Sequence, residues 1–455
     1  MNFLLIFLVN LLFYHRTLSY GYVSDDIAVA NHPEPIPKNK WQTFWINFRG
    51  QRYTNPRLAH SMTLGVHIFN SWLIYAAFGL NVTSLCAGLF FAVNPINTQG
   101  GSVWISGRPY SHATTCVLAM YALPWLAPLF YGATVFFSAA ALFGPLPFLL
   151  TRFWFWVFLP PIFVGAFYSV IMKKWNLNQT SNKEMKAIVW RKIIPFLKTF
   201  GYYFRISIMP YKQGLYHPFL WGLGVNKKYN ECAYKKNRDF WVGAVIFLLT
   251  ALHIIFIRNL VSFGLFWYMV NIAMWCNIVT TQQQIGERYI YLSNVGLMIA
   301  LAGVVTSLWP PLNFIFATAI LTYYATRLWH YRESYLNDYW HIEYNVLEFK
   351  DAHYAWVARG IKKFYIFDFD GALRDFGEAR TYIPHDFKQN MNMATMFLVL
   401  GDIKHCEEFL QHARESTYDG VEESQIETYV KNTEELLDIV KKTGKIELQR
   451  LRIIK

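Results

Sequence analysis

Long apolar stretches recur through the first three quarters of the chain, and they constrain its fold more than anything else. They lie near residues 1–13, 61–79, 83–97, 111–127, 129–143, 145–155, 157–172, 239–257, 260–280, 288–308 and 310–330. A bilayer crossing needs roughly 20 predominantly apolar residues in a helix, and in lipid each backbone N–H and C=O must be satisfied within the protein. The pattern therefore predicts an all-α, polytopic membrane domain over 1–330 with about eleven spans. Met1–Phe13 has no basic start and no small-residue cleavage site, so it reads as a retained first span. The stretch at 145–155 carries Pro145, Pro147 and Arg152 and is short for a full crossing, which predicts a broken or half-buried helix. Charged residues make up only 16% of the chain, against roughly 25% in soluble domains. Together with the apolar runs, that excludes a small soluble enzyme, a disordered chain and a disulfide scaffold. The five scattered cysteines match neither a metal site nor a redox pair.

After residue 330 charge returns to soluble density and a different regularity begins. From His353 the sequence repeats every 34 residues: Trp356, Gly360, Ala372, Phe376, Ala379 and Pro384 fall at positions 4, 8, 20, 24, 27 and 32. A looser second copy from Phe387 places Ala394, Phe397, Cys406, Leu410 and Ala413 at positions 8, 11, 20, 24 and 27. Small residues that let paired helices approach, with aromatics filling the gaps, are the tetratricopeptide pattern. This predicts a helical solenoid over 353–455, closed by a charged helix at 421–455 and joined to the membrane domain by a helix over 331–352. Phe367-Asp368-Phe369-Asp370-Gly371 resembles the nucleophile motif of haloacid-dehalogenase phosphatases. That chemistry needs a parallel sheet, and a helical repeat surrounds the motif here.

Charge is concentrated as well. Residues 173–238 hold fourteen Lys or Arg, among them Lys173, Lys174, Arg191, Lys192, Lys227 and Lys228, against Glu184 and Glu231. The excess suits lipid headgroups or a lipid-linked phosphate, or a cytoplasmic loop under the positive-inside rule. It sits between spans and shows no nucleic-acid-binding motif. Within it, Pro195–Ile208 reads as an interfacial helix, aromatic face down and Lys198 and Arg205 up.

Four constellations could carry chemistry. Ser24-Asp25-Asp26-Ile27, followed by Asn31, His32 and Pro33, lies in the loop 15–60 after the first span. Its carboxylates suit a base, a ligand for a divalent cation, or a turn-capping role. His60 and His67 lie seven residues apart, on nearly one face of a helix, either lining a cavity, ligating a metal or satisfied in the core. Asn94-Pro95-Ile96-Asn97-Thr98-Gln99 leads to Trp104-Ile105-Ser106-Gly107-Arg108, a polar turn that could grip a phosphate or sugar hydroxyls or simply cap and turn the chain. Gln282-Gln283-Gln284-Ile285-Gly286-Glu287-Arg288-Tyr289 opens a later span as an interfacial anchor or a further part of the same site.

In this order, the motifs resemble the transmembrane and tetratricopeptide repeat-containing O-mannosyltransferases and their bacterial relatives in the GT-C glycosyltransferase superfamily. The shared features run from the Asp-Asp loop through His60 and His67, Phe91-Ala92-Val93-Asn94-Pro95, Gly107-Arg108, Met209-Pro210 and Glu287-Arg288-Tyr289-Ile290-Tyr291-Leu292-Ser293 to the repeats. The resemblance covers nearly the whole chain. It implies a multi-pass protein of a bacterial inner membrane or the endoplasmic reticulum. Loops 15–60 and 173–238 and the repeats would lie on the extracytoplasmic or lumenal side. It also implies a polyprenyl-phosphate sugar donor, mannose or another hexose, a protein or glycan acceptor, and a protein partner at the repeats. Asp26, with Asp25 as its partner, would be the base. Arg108, Arg205 and Arg288 would meet the phosphate, while His60, His67, Asn94, Asn97, Gln99 and Glu287 would line the substrate site. The chain departs from the pattern where the family has His, His and Glu, with Asn94, Asn97 and Gln99, and after Gly107-Arg108, where Pro109-Tyr110 replaces Ala-Asp. Neutral amides keep hydrogen bonding but cannot transfer protons. A degenerate membrane scaffold is therefore the first alternative. A transporter of lipid-linked sugars is the second, although no inverted repeat is visible.

Overall fold

The structure, a computed structural model, describes residues 2–31, 39–48, 53–138, 141–163, 189–217, 236–277, 285–384, 386–416 and 423–444. These are all-helical, with no β-strand among them. The chain divides into two compact units, Met1–Leu215 with Lys236–Asp338, and Tyr216–Lys235 with Tyr339–Lys455. The boundary falls near residue 338 rather than at 330. The expected connecting helix over 331–352 is two elements, a 3-10 turn at Glu333–Tyr335 and a helix at Asp338–Glu348.

In the first unit the helices are α1 Asn2–Tyr14, α2 Asp25–Ala30, α3 Lys40–Phe48, α4 Pro56–Ala77, α5 Val82–Val93, α6 Arg108–Ala122, α7 Ala127–Phe137, α8 Val189–Ile208, α9 Arg238–Phe256, α10 Leu260–Ala273, α11 Tyr291–Thr306 and α12 Pro310–Arg332. Short turns at 78–81, 257–259 and 307–309 reverse the chain at one end of the unit. Asn81 and Asn259 close two of these turns as capping boxes with Ser84 and Ser262. The opposite end gathers the C-terminus of α1, the N-termini of α4, α6 and α11, and the irregular segment between α5 and α6. Cross-links fix this register. Trp72 Nε1 donates to the Phe3 carbonyl (2.9 Å), the Tyr14 hydroxyl to the Ala92 carbonyl (3.0 Å), and Thr83 and Thr306 hydroxyls meet at 2.8 Å.

Three stretches are long and apolar enough to cross a bilayer among the described residues: Asn2–Ser19, Arg238–Phe256 and Glu287–Thr306. Val82–Val93, Trp154–Phe163 and Leu260–Ala273 are apolar but shorter. α4 is 22 residues long yet carries a polar row of His60, Thr63, His67, Asn70 and Ser71, all buried, which lowers its hydropathy. Residues 145–158 form two 3-10 segments, Leu146–Leu150 and Trp154–Phe158, instead of a continuous helix. Pro145 and Pro147 remove the donors a longer helix would need.

α10 crosses α11 and α8 crosses α9 at backbone contact. A Cβ on Gly264 would stand 2.4 Å from the Gly296 carbonyl oxygen, and one on Gly243 1.8 Å from that of Leu197. Small residues allow such approach where helices pack without water between them. The second contact changes the reading of residues 195–208. Instead of lying with its cations up, α8 packs on α9, and Lys198 is buried, as are Phe200, Tyr203 and Ile206.

The second unit begins with α13, which extends from Asp338 to Glu348. Two antiparallel helix pairs follow: α14 His353–Tyr365 with α15 Phe369–Tyr382, and α16 Phe387–Val399 with α17 Ile403–Arg414. α18 Glu423–Thr443 packs on the second pair. Corresponding helices start 34 residues apart, at 353 and 387 and at 369 and 403. The 34-residue small and aromatic positions lie inside: Ala372, Phe376, Ala379, Ala394, Cys406 and Ala413 are fully buried, and the Phe376 ring fills the space over Gly360. Asp368 and Asp402, also 34 apart, cap α15 and α17 by accepting from the N–H groups of Gly371 (3.0 Å) and His405 (3.1 Å). The phosphatase-like Asp368 is thus a helix cap.

Candidate functional site

The site is built from three pieces of backbone at one end of the first unit. After α1 and a 3-10 turn at His15–Ser19, the chain reaches Ser24 at φ 52°, a left-handed conformation that costs a non-glycine residue about 1 kcal/mol or more. The Ser24 N–H donates to Asp338 Oδ1 (2.8 Å), which holds the strained turn and starts α2 at Asp25. Successive residues on a helix lie about 100° apart, so the two carboxylates part company. Asp25 is exposed and Asp26 is fully buried.

The second piece is the irregular run between α5 and α6. Asn94 Oδ1 caps a 3-10 turn at Pro95–Thr98, and a second turn, Ile105–Gly107, folds back so tightly that a Cβ on Gly107 would lie 2.0 Å from the Gln99 carbonyl oxygen. This turn aims Ser106 at the carboxylate. The Ser106 N–H and hydroxyl donate to Asp26 Oδ1 at 2.8 and 2.5 Å. Asp26 Oδ2 is buried and has no hydrogen-bond partner among the described residues. Burial pushes the Asp26 carboxyl up to about 7, although the Ser106 bonds and the nearby Arg108 charge oppose the rise.

Arg108, the first residue of α6, is also fully buried. Its guanidinium lies over the Tyr53 ring (5.0 Å to the centroid), and Nε donates weakly to the Ile105 carbonyl (3.4 Å). Its Nη2 has no hydrogen-bond partner among the described residues. The third piece, the start of α4, brings His60, whose Nε2 lies 3.3 Å from the Gly21 carbonyl oxygen. Tyr22 and Tyr53 stack (6.0 Å between centroids) to close one side. Burial and the neighbouring Asp26 charge push the Tyr22 hydroxyl up to about 12 and raise that of Tyr53, so both stay protonated.

The remaining expected residues fall into other settings. His67 is spent within the core: Nε2 faces the Ala92 carbonyl (3.1 Å), so it carries the proton, and Nδ1 accepts from the Tyr291 hydroxyl (2.7 Å). Asn97 donates to the Phe91 carbonyl (2.7 Å) and accepts from Asn294 (3.0 Å), while Asn94 donates to the Ser207 carbonyl (3.0 Å). Gln99 donates to the Gly214 carbonyl, and Glu287 takes the Gly214 N–H (2.9 Å) and the Tyr331 hydroxyl (3.1 Å). These groups brace the segment near Gly214 against α12.

Arg205 pairs with Asp239 (2.9 Å) and with the Tyr211 hydroxyl, which commits it to the α8–α9 contact. Arg288 lies among aromatic rings, 4.8 Å over Tyr289 and 5.6 Å from Trp104, with no carboxylate bonded to it among the described residues. Asp26, His60 and Arg108 are therefore brought together, and Asp25 and Arg205 stand apart from them. No three His, Cys, Asp or Glu side chains converge to hold a metal ion among the described residues. His32, Pro33, Gln282, Gln283, Gln284, Lys173, Lys174, Lys183, Lys227 and Lys228 lie outside the described residues. Arg191 and Lys192 are described only as backbone of α8.

Two residues of this end have no role assigned from the sequence. Ser106, within the motif that leads to Arg108, orients the carboxylate. Arg332, at the end of α12, is fully buried over the Trp329 ring (3.9 Å) and 3.3 Å from Glu333. Its Nη1 and Nη2 have no hydrogen-bond partner among the described residues. In the sequence it reads as an ordinary cation at a helix end.

The site thus offers a buried carboxylate, one oxygen fixed and one unused, poised near neutrality in the field of the Arg108 guanidinium, which has an unused donor. It can take a proton from a hydroxyl and stabilise an anion. The chain matches no protein-family model, no curated protein and no solved structure.

Proposed function

We propose that the protein is an integral-membrane glycosyltransferase of the GT-C type, related to the transmembrane and tetratricopeptide repeat-containing O-mannosyltransferases. It moves mannose or another hexose from a polyprenyl-phosphate donor to a protein or glycan acceptor on the extracytoplasmic or lumenal face of a multi-pass membrane domain of about eleven spans. The paired helices of 353–416 act as tetratricopeptide repeats that hold a protein partner. The observation that carries the reading is Asp26: fully buried, held through Oδ1 by Ser106, with Oδ2 uncommitted.

In this reaction the acceptor oxygen attacks the anomeric carbon, and the bond from that carbon to the phosphate oxygen breaks. Its electron pair leaves with the polyprenyl phosphate, and the hydroxyl proton passes to Asp26. A carboxyl near pKa 7 suits this step, since its basicity exceeds that of an ordinary carboxylate and it still ionises in the neutral range. Arg108, with a free Nη2 on the same side, supports the departing anion.

Glycan mass spectrometry of cells with the protein, without it, and with Asp26→Asn tests the proposal. The expected result is one class of hexose-bearing glycan lost equally in the null and Asp26→Asn cells. Unchanged glycans in the null refute transfer. A glycan change that Asp26→Asn restores fully would leave the scaffold reading, in which the repeats recruit another enzyme.

A further inference from the structure

The broken element at 145–158 borders a cavity in the first unit of about 1010 Å³, at the end opposite Asp26. Tyr121, Phe148, Ile254 and Phe263 supply apolar wall, and Arg152 and Arg258 lie at its edge. No Asp or Glu lines it among the described residues. The Phe148 ring stacks on Tyr121 at 4.0 Å, and the Tyr121 hydroxyl donates to the Gly144 carbonyl (3.0 Å), so the 3-10 segments are pinned as a wall. Irregular backbone at membrane depth persists where it is buried in protein or lines a cavity. Both arginines are exposed and form no ion pair among the described residues. Trp125, whose ring meets that of Phe153, is 76% exposed, as expected of an indole seated at a lipid headgroup level.

We infer that this cavity binds one anionic phospholipid, with an acyl chain against the aromatic wall and the phosphodiester between Arg152 and Arg258. Charge complementarity selects the occupant: two guanidiniums and no carboxylate favour a headgroup with net negative charge over a zwitterion, whose own cation would meet them unpaired. Arginine adds geometry to charge, since its fork can bond two phosphate oxygens at once. The site lies at the other end of the helices from the proposed transfer chemistry and does not depend on it.

Native mass spectrometry of the full chain in non-ionic detergent provides the test, with titrated phosphatidylglycerol and phosphatidylcholine. Phosphatidylglycerol should be retained by the wild type, by Asp26→Asn and by Arg57→Gln, which removes an exposed cation at the opposite end. Arg152→Gln with Arg258→Gln should weaken its retention about tenfold or more. Ile254→Trp, which fills the cavity without changing charge, should lower it as well. Equal retention by the wild type and the double variant overturns the inference. Equal retention of the two lipids does the same, as does an equal loss in Arg57→Gln, which would indicate diffuse attraction. Thermal stabilisation by glycerol phosphate matching that by phosphatidylglycerol would remove the acyl-chain part.

Discussion

Replacing Asp26 with asparagine should separate the energetics of the site from its chemistry. In the folded protein the Asp26 carboxyl lies at about 7, against an ordinary value of 3.8. The folded state therefore holds this proton more tightly than the unfolded chain does. Stability contributed by the protonated form is complete below about pH 4, declines as pH rises through the folded value, and is level above it. Each pKa unit corresponds to about 1.4 kcal/mol, so a rise of roughly three units implies a loss on the order of 4 kcal/mol between pH 4 and 8. The asparagine side chain would keep an oxygen for the Ser106 donors and would carry no charge to bury. Thermal unfolding of detergent-solubilised protein should show Asp26→Asn melting higher than wild type at pH 8 and similarly at pH 4. Catalysis should move the opposite way. The wild-type rate should rise with pH toward a plateau above 7, and the variant should lose that limb and about 10²–10⁴-fold in rate. Parallel melting curves at both pH values would refute the buried carboxylate. A rate loss below tenfold would refute its role as base.

Three further outcomes are expected. Arg108→Met should lower the melting temperature only slightly, since Nη2 has no hydrogen-bond partner among the described residues and Nε makes only a long bond to Ile105, while transfer falls about a hundredfold; a large drop in melting temperature would make Arg108 structural. Phe367 sits at φ 64° and is 69% exposed, and its counterpart 34 residues on is Gly401 at φ 77°, so Phe367→Gly should stabilise the helix pairs by about 0.5–1 kcal/mol in thermal unfolding. Asp375 takes two bonds from Arg359 (both 2.8 Å) and one from Lys363 (2.9 Å), so Asp375→Ala should cost about 3 kcal/mol and open residues 353–416 to limited proteolysis.

The helix pairs of 353–416 are legible in the sequence because their packing is local. Each small or aromatic position contacts the adjacent helix of the same or the next pair, so a fixed period records the contacts. The all-helical character of 1–330 is legible for a similar reason, since apolar runs leave the backbone few alternatives. Partners between distant elements leave no such trace. Nothing near Arg205 indicates that Asp239 waits 34 residues later, and the charge excess of 173–238 suggests an anionic ligand instead. Nor do Asn94, Asn97 and Gln99 reveal that Ser207, Phe91 and Gly214 carbonyls take their amide protons. Such pairings depend on how helices stack, which composition does not encode. The break at 145–158 is signalled by its prolines, but the cavity beside it needs α9, α10 and α6 to be in place.

Where the chain bears unfavourable contacts bears on what it does. Ser24 at positive φ, the unused oxygen of Asp26, and unused nitrogens on Arg108 and Arg332 fall at one end of the first unit, while others, such as Leu80 at φ 52° and the buried Tyr268 hydroxyl, which has no hydrogen bond among the described residues, lie elsewhere in it. A buried polar group without a partner costs roughly 1–3 kcal/mol, and a charged one more. The same end shows that the chain can satisfy buried polar groups: His67, Asn97 and Glu287 are each bonded to specific partners. Local rules are expected to break where a site needs groups held ready for something else. The neutral amides at Asn94, Asn97 and Gln99 fit this division. They do bracing work that requires hydrogen bonds and no charge, and they are separate from the Asp26 carboxylate and the nearby Arg108 guanidinium. Introducing an ionisable group by Asn97→His should then add no activity and should destabilise the fold by removing the bonds to Phe91 and Asn294. A gain in transfer would instead make position 97 part of the chemistry.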